Sequence, residues 1–279
     1  ITLEVLGGLG LVAGMVWYRT RRLLKQTQEL EAKVAQRTQE LRLANEALRD
    51  QSLTDPLTGL RNRRYLGECM AEDVAQVQRI HRDHSCDRRE RLSLNIDLLF
   101  IMLDLDHFKT VNDEHGHAAG DRVLQQVAAI LGHTVRDSDT AVRWGGEEFL
   151  VVARHAARRD ATVLVERIRA NVEAHAFDIG EGRSIRCTCS IGFTSFPFVS
   201  RHPELFVWER VLALADQALY AAKQSGRNAW VGLYSTEDAS PERLKKGLPG
   251  DIPGLVQEGQ IEVLTSMPNP AALEWGTDL

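Results

Sequence analysis

Cysteine is scarce in this sequence. Only Cys69, Cys86, Cys187 and Cys189 occur in 279 residues, too few to staple a chain of this length with disulfides, so reduced thiols of a cytosolic protein are expected. An excess of positive charge is also missing. The 34 Lys and Arg face 39 Asp and Glu, a net charge of -5, which leaves no overall footprint for DNA or RNA and requires any work on phosphates to come from local charge. A four-ligand metal set is absent around His81, His84 and Cys86. Apolar runs long enough for a membrane are confined to the start, ITLEVLGGLGLVAGMVWY (1–18).

That opening run just reaches the length of a spanning helix. Trp17 and Tyr18 stand where an interfacial aromatic belt belongs, and the basic RTRR (19–22) marks the cytoplasmic side. The charges follow the apolar run and no small-residue cleavage site appears, which disfavours a signal peptide. The expectation is the C-terminal part of a transmembrane helix in the inner membrane, with the remainder in the cytoplasm. Because the first residue is Ile1 rather than Met, a longer parent chain is expected. Residues 19–51 then read as a coiled-coil signalling helix. Its seam is Leu23, Thr27, Leu30, Val34, Arg37, Leu41, Ala44, Leu48 and Gln51, modest in strength because three of these are polar.

Asp55-Pro56 and Gly59 break that helix, and 52–234 reads as one domain of interleaved strands and helices. Helix is predicted for 66 to about 92, 118–133, 160–175 and 205–224. DLLFIMLDLD (97–106) suits a strand buried on both faces. Strands are also predicted at 140–153, as a pair around Gly145-Gly146, and at 185–196 and 228–233. In the 185–196 strand, Ile185, Cys187, Cys189, Ile191 and Phe193 share a face. From Ser235 to Leu279 the chain is richer in Pro, Gly and charge, and reads as a poorly ordered tail.

The chemistry-bearing residues gather at element ends. The 97–103 strand delivers Asp104 and Asp106, two apart and so on one face. The hairpin tip delivers Glu147 and Glu148 behind two glycines that permit the positive φ of a tight turn. Carboxylates with no thiolate or imidazole among them make a hard oxygen site, suited to Mg²⁺ shared with substrate phosphates. Alone, the tip reads equally well as a solvated acidic turn. DLDHFKTVNDEHGHAAGDRVL (104–124) runs from strand through a loop into a helix near Ala118, whose N-terminus attracts anions. Asn112 carries amide donors and a carbonyl for a purine edge. Asp121 can accept from the N1–H and N2–H₂ of guanine, donors that adenine lacks, although an acid in a first helical turn is also a common cap. Lys223 and Arg227, four apart around Gly226, are two cations for a triphosphate.

TDPLTGLRNRR, DLDHFKTVND, GHAAGD, RWGGEEF and ALYAAKQSGRN, in this order and spacing, resemble the GGDEF family of diguanylate cyclases over about residues 52–233. The resemblance implies an α+β fold like the palm of polymerases and nucleotidyl cyclases, with a central, mainly antiparallel sheet surrounded by helices. It implies one GTP per domain and a homodimer in which each 3′-hydroxyl attacks the α-phosphate of the opposite GTP, giving cyclic di-GMP and two pyrophosphates. By matching position, Asp104, the Leu105 carbonyl and Glu147 resemble ligands of Mg²⁺, with Mn²⁺ as the alternative ion. Glu148 resembles the acid assigned to metal binding or to deprotonating the 3′-hydroxyl. Asn112 and Asp121 resemble the guanine readers, with His117 beside the nucleotide. The backbone at Phe108 and Lys109, with Lys223 and Arg227, resembles the phosphate cradle.

RDSD (136–139), separated from Gly145 by five residues, resembles the RxxD site at which cyclic di-GMP inhibits such enzymes, through Arg136 and Asp139. Two other readings stand beside the cyclase. One is a catalytically silent cyclic di-GMP receptor, disfavoured by the intact acidic tip and phosphate cations. The other is a cyclase that accepts adenine, disfavoured by Asp121.

Overall fold

The computed structural model describes Trp17, Arg19, Arg21, Lys33, 36–39, 53–83, 96–269 and 273–275. The chain divides into two compact units, Ile1–Ser52 and Leu53–Leu279. The apolar run at 1–18 and the heptad seam lie largely outside the described residues, and among those described no helix is long and apolar enough to cross a membrane. The histidine- and arginine-rich stretch from His84 onward is likewise outside them.

The second unit is built on strand β2 (Asp97–Leu105), buried along its whole length. Its alternating side chains feed two separate cores, as the two-residue period of a strand dictates. Leu98, Phe100 and Met102 join one, with helix α1 (Arg63–Asp83), through Leu66 and Met70, and helix α5 (Trp208–Gln224), through Val211 and Ala215. Leu99, Ile101 and Leu103 join the other, with helix α3 (His117–Thr134), through Val123 and Val127, and helix α4 (Ala161–Ala174), through Val165 and Ile168.

Around β2 stand β1 (Arg61–Asn62), β3 (Thr140–Gly145), β4 (Glu148–Ala156), β7 (Cys189–Phe196), β8 (Trp230–Ser235) and β9 (Ile261–Thr265), in the order β1-β3-β4-β2-β7-β8-β9. The pairs β3·β4, β4·β2, β2·β7 and β8·β9 are antiparallel, and β1·β3 and β7·β8 are parallel. The sheet is therefore mixed, with the expected antiparallel majority and helices on both faces. A separate small hairpin pairs β5 (Phe177–Gly180) with β6 (Arg183–Ile185).

Three expectations need correction. The loop after β2 contains helix α2 (Phe108–His115), which begins at a left-handed His107 (φ 57) and buries only Phe108 and Val111. The strand predicted over 185–196 starts at Cys189; Ile185 belongs to the small hairpin, although Cys187, Cys189, Ile191 and Phe193 do fall in one core. The tail is not disordered over 235–269. Helices α6 (Pro241–Gly247) and α7 (Ile252–Gln257) are capped by Ser240 and Asp251, and β9 pairs with β8. Leu244, Leu248, Ile252, Leu255 and Ile261 are buried in the same core as α1 and α5, which offsets the entropy of ordering this segment.

Candidate active site

The register of the sheet brings the acids together. Asp104 on β2 lies directly opposite Glu148, the first residue of β4. Gly146 and Glu147 form the two-residue turn between β3 and β4. Of the two glycines only Gly146 adopts the left-handed region (φ 47); Gly145 instead sits at a register irregularity opposite Glu148. The tip is tied down by Arg143. Its Nε and Nη2 donate to the Gly146 carbonyl at 3.1 and 2.9 Å, and its Nη1 donates to both carboxylate oxygens of Asp55 at 3.2 Å. Asp55 in turn accepts from the Thr58 amide and hydroxyl, and these bonds hold its carboxyl below the usual range against partial burial. The TDPLTG loop is thus a fastening for the acidic tip.

Asp104 is almost fully buried and makes a 2.8 Å ion pair with Lys223 Nζ, reaching in from the last turn of α5. Burial pushes the Asp104 carboxyl up despite this partner. Glu147 and Glu148 are also pushed up, first by burial and then by the charge of Asp104. Asp216, on the outer side of α5, joins the same field; partial desolvation raises it and Lys223 opposes the rise. Burial and mutual repulsion both raise these acids, and a bound cation would offset both.

The donors fit a hard divalent ion in chemistry. As they stand, no three His, Cys, Asp or Glu among the described residues are gathered closely enough to hold one. Lys223 supplies the positive charge, and a metal on Asp104 would have to draw Oδ2 away from it.

The other expected residues surround this cluster. Asn112 lies on α2, and Asp121 and His117 lie in the first turns of α3, both exposed. Gly120 makes their juxtaposition possible, since a Cβ there would meet Asn112 Oδ1 at 2.0 Å. Phe108 and Lys109 open α2 immediately after β2, so their backbone amides are free helix-start donors. Leu105 ends β2 beside Asp104. Arg227 is exposed on a turn at φ 63, four residues beyond Lys223. Arg136 and Asp139 are not part of this constellation. They precede β3, whose six residues separate them from the tip by roughly 20 Å of extended chain. There the Asp139 carboxylate accepts from the Arg136 and Arg154 amides at 3.0 and 3.1 Å.

Asp106 shares the face of Asp104 as alternation predicts, one residue past the end of β2, and Ser190, which it contacts, is the residue opposite Asp104. Its carboxylate accepts from Thr188 Oγ1 and Ser190 Oγ, both at 2.7 Å, and from the Asn228 amide at 3.0 Å. Asp106 is a structural acceptor. Cys187 is also inert, its thiol pushed up to about 11 by burial and by Asp106. A cavity of about 570 Å³ at the opposite end of the sheet, lined by His81, Asp97, Arg158 and Tyr234 among others, holds none of these residues.

Comparison with known proteins bears on this arrangement. Residues 52–229 match the family model described as diguanylate cyclase, GGDEF domain. The chain belongs to the GGDEF family. Over 180 residues this GGDEF chain is 41% identical to the diguanylate cyclase DgcP of Pseudomonas aeruginosa, covering 64% of this chain and 24% of that protein. Over 184 residues it is 36% identical to diguanylate cyclase A of Treponema denticola, covering 66% and 45%. The chain thus spans less than half the length of these curated relatives. Among solved structures, the coiled coil and GGDEF domain of DgcB from Caulobacter crescentus, in complex with c-di-GMP, is similar at 30% identity and a TM-score of 0.57, covering 71% of this chain and 96% of that one. The diguanylate cyclase SiaD of Pseudomonas aeruginosa, in complex with its activator SiaC, is similar at 34% identity and a TM-score of 0.54, covering 80% and 78%.

Sequence reasoning missed Arg143 with Asp55, Gly120, and Asp216. Arg143 adjoins the GGEEF motif and Asp55 lies in TDPLTG, but nothing local signals that the two meet.

Proposed function

We propose that this GGDEF chain is the catalytic part of a diguanylate cyclase, condensing two GTP into cyclic di-GMP and two pyrophosphates. The observation that carries the reading is the pairing of Asp104 with Glu148 in register, with Lys223 on Asp104. A receptor has no need of buried acids held at a strained charge balance.

In this reading Asn112 and Asp121 hold the guanine edge, with His117 beside the nucleotide. The amides of Phe108 and Lys109 and the cations Lys223 and Arg227 hold the triphosphate. Asp104, the Leu105 carbonyl and Glu147 would hold Mg²⁺ or Mn²⁺. When bound, such an ion supplies charge neutralisation at the phosphates and acidifies an oxygen attached to it. Glu148, its carboxyl raised by burial and then by Asp104, accepts the proton of the attacking 3′-hydroxyl. The new bond joins that oxygen to the α-phosphorus of the facing GTP, and the bond to pyrophosphate breaks. Little covalent chemistry is asked of the protein, and positioning dominates.

Two such domains must face each other, so the active form is a homodimer, with the 23–51 seam as its pairing element. The anchoring of residues 1–18 in the inner membrane, with the catalytic domain in the cytoplasm, rests on their sequence. Arg136 and Asp139 form a separate product-binding site that slows synthesis. Added cyclic di-GMP should inhibit the parent chain and leave Arg136→Ala unaffected; equal inhibition of both removes that site from the account.

Incubation with Mg²⁺ and GTP, and with Mg²⁺ and ATP in parallel, tests the activity by mass spectrometry of the products. Cyclic di-GMP from GTP and no cyclic dinucleotide from ATP is expected. Tight cyclic di-GMP binding with no turnover under any condition would establish the receptor instead.

A further inference from the structure

The turn that carries Arg227 is held from two sides, and one of them lies outside the family match. On the inner side, Asp106 accepts from the Asn228 amide, while the Asn228 side chain accepts from Arg169 at 2.7 Å and donates to Glu173 at 2.7 Å. On the outer side stands the segment after β9. Ser266 continues the β8·β9 ladder by exchanging bonds with Trp230, its Oγ accepting from the Trp230 amide at 3.0 Å and its amide donating to the Trp230 carbonyl at 3.2 Å. Met267 follows, with its Cε 3.5 Å from where a Cβ on Gly226 would sit. Further on, the Glu274 amide donates to Ser225 Oγ at 2.9 Å. Leu273 is buried in the core that contains α5, and Met267 and Trp275 pack against it.

Ser225, Gly226 and Arg227 are the residues by which α5 ends. Gly226, Arg227 and Asn228 all have positive φ, at 127, 63 and 46. Two non-glycine residues in this region are held against their own preference, so the turn needs external contacts to keep one conformation. Lys223 sits one turn earlier on the same helix end. Ser266, Met267 and Glu274 all lie beyond residue 229, where the family match stops.

We infer that the C-terminal residues Ser266, Met267 and Glu274 position the phosphate-binding end of α5, making Ser225 and Met267 positioning residues for Lys223 and Arg227. The inference rests on the reading of Lys223 and Arg227 as triphosphate ligands. Contacts that hold a strained turn lower the entropy lost when the ligand orders it. Loosening them should weaken the grip on phosphate and leave the guanine pocket of α2 and α3 as it is.

The test measures binding of guanosine and of a non-hydrolysable GTP analogue to the full chain, for the parent, Ser225→Ala, Met267→Ala and Arg227→Ala. Ser225→Ala and Met267→Ala should each weaken the GTP analogue roughly fivefold, the effect of one hydrogen bond or about one buried methylene, with guanosine unchanged. Ser225→Thr and Met267→Leu should restore it. Steady-state assays should show the same variants raising KM more than they lower kcat. Equal loss for guanosine and the GTP analogue would reduce the segment to a general stabiliser and overturn the inference. No loss in either variant, while Arg227→Ala weakens the GTP analogue, would also overturn it. If Arg227→Ala itself leaves the preference for GTP over guanosine intact, the reading of the phosphate cradle fails, and the inference falls with it.

Discussion

At the scale of single residues, the ammonium of Lys223 is felt by four acids at once. Asp104, Glu147, Glu148 and Asp216 each have their carboxyl raised by desolvation and each have that rise opposed by Lys223. One positive charge against four negative ones leaves the cluster under-neutralised. For Glu148 the sign of the consequence is definite. Its folded-state affinity for a proton exceeds its unfolded one, so above the ordinary range near 4.5 the unfolded chain loses the proton first. Stability therefore falls as pH rises from that range through the raised value, then levels off. Glu148→Gln removes this loss. In metal-free thermal melts the variant should match the parent near pH 4 and exceed it by a few degrees at pH 7. A difference that stays flat or reverses with pH would show that Glu148 is not held in a desolvated, repulsive field. Little of this was readable from residue types. GGEEF displays its charges, but Asp216 is one acid on an amphipathic helix, and Arg143 and Asp55 meet across 88 residues of sequence.

At the scale of elements, legibility follows length and periodicity. Strand β2 is a short unbroken apolar run between acids, and its length suits a strand buried on both faces better than a helix. Helices α3, α4 and α5 are long enough for their apolar stripes to repeat. Helix α2 spans eight residues and buries two, too few for a period to emerge from FKTVNDEH. The C-terminal elements fail for a related reason. Their buried residues are split by Pro and Gly, so each helix shows barely a turn of pattern, and only the caps at Ser240 and Asp251 announce them. The α2–α3 corner is where element geometry reaches function, because Gly120 lets Asn112 lie against the start of α3. Gly120→Ala should preserve the fold and displace the Asn112 side chain. GTP binding should weaken about tenfold, the loss of hydrogen bonding to one base edge, and the preference for GTP over ATP should shrink. Unaltered base preference would remove Asn112 from the guanine site.

At the scale of the whole molecule, a ring of two nucleotides needs two copies of the site, which makes encounter between domains part of the reaction. In the proposed reaction the seam predicted at 23–51 would supply that encounter by raising the local concentration of the second domain. Replacing Leu30, Val34 and Leu41 together by Glu should abolish synthesis and leave GTP binding to each chain intact. Full activity in that triple variant at low protein concentration would show that pairing comes from elsewhere.

The account turns on Asp104 exchanging Lys223 for a metal ion when nucleotide arrives, which a crystal structure with Mg²⁺ and a non-hydrolysable GTP analogue measures directly. The expected result is an ion between Asp104 and Glu147, with Lys223 and Arg227 moved onto the phosphates. A nucleotide bound elsewhere, with Lys223 still 2.8 Å from Asp104 and no ion beside it, would contradict it.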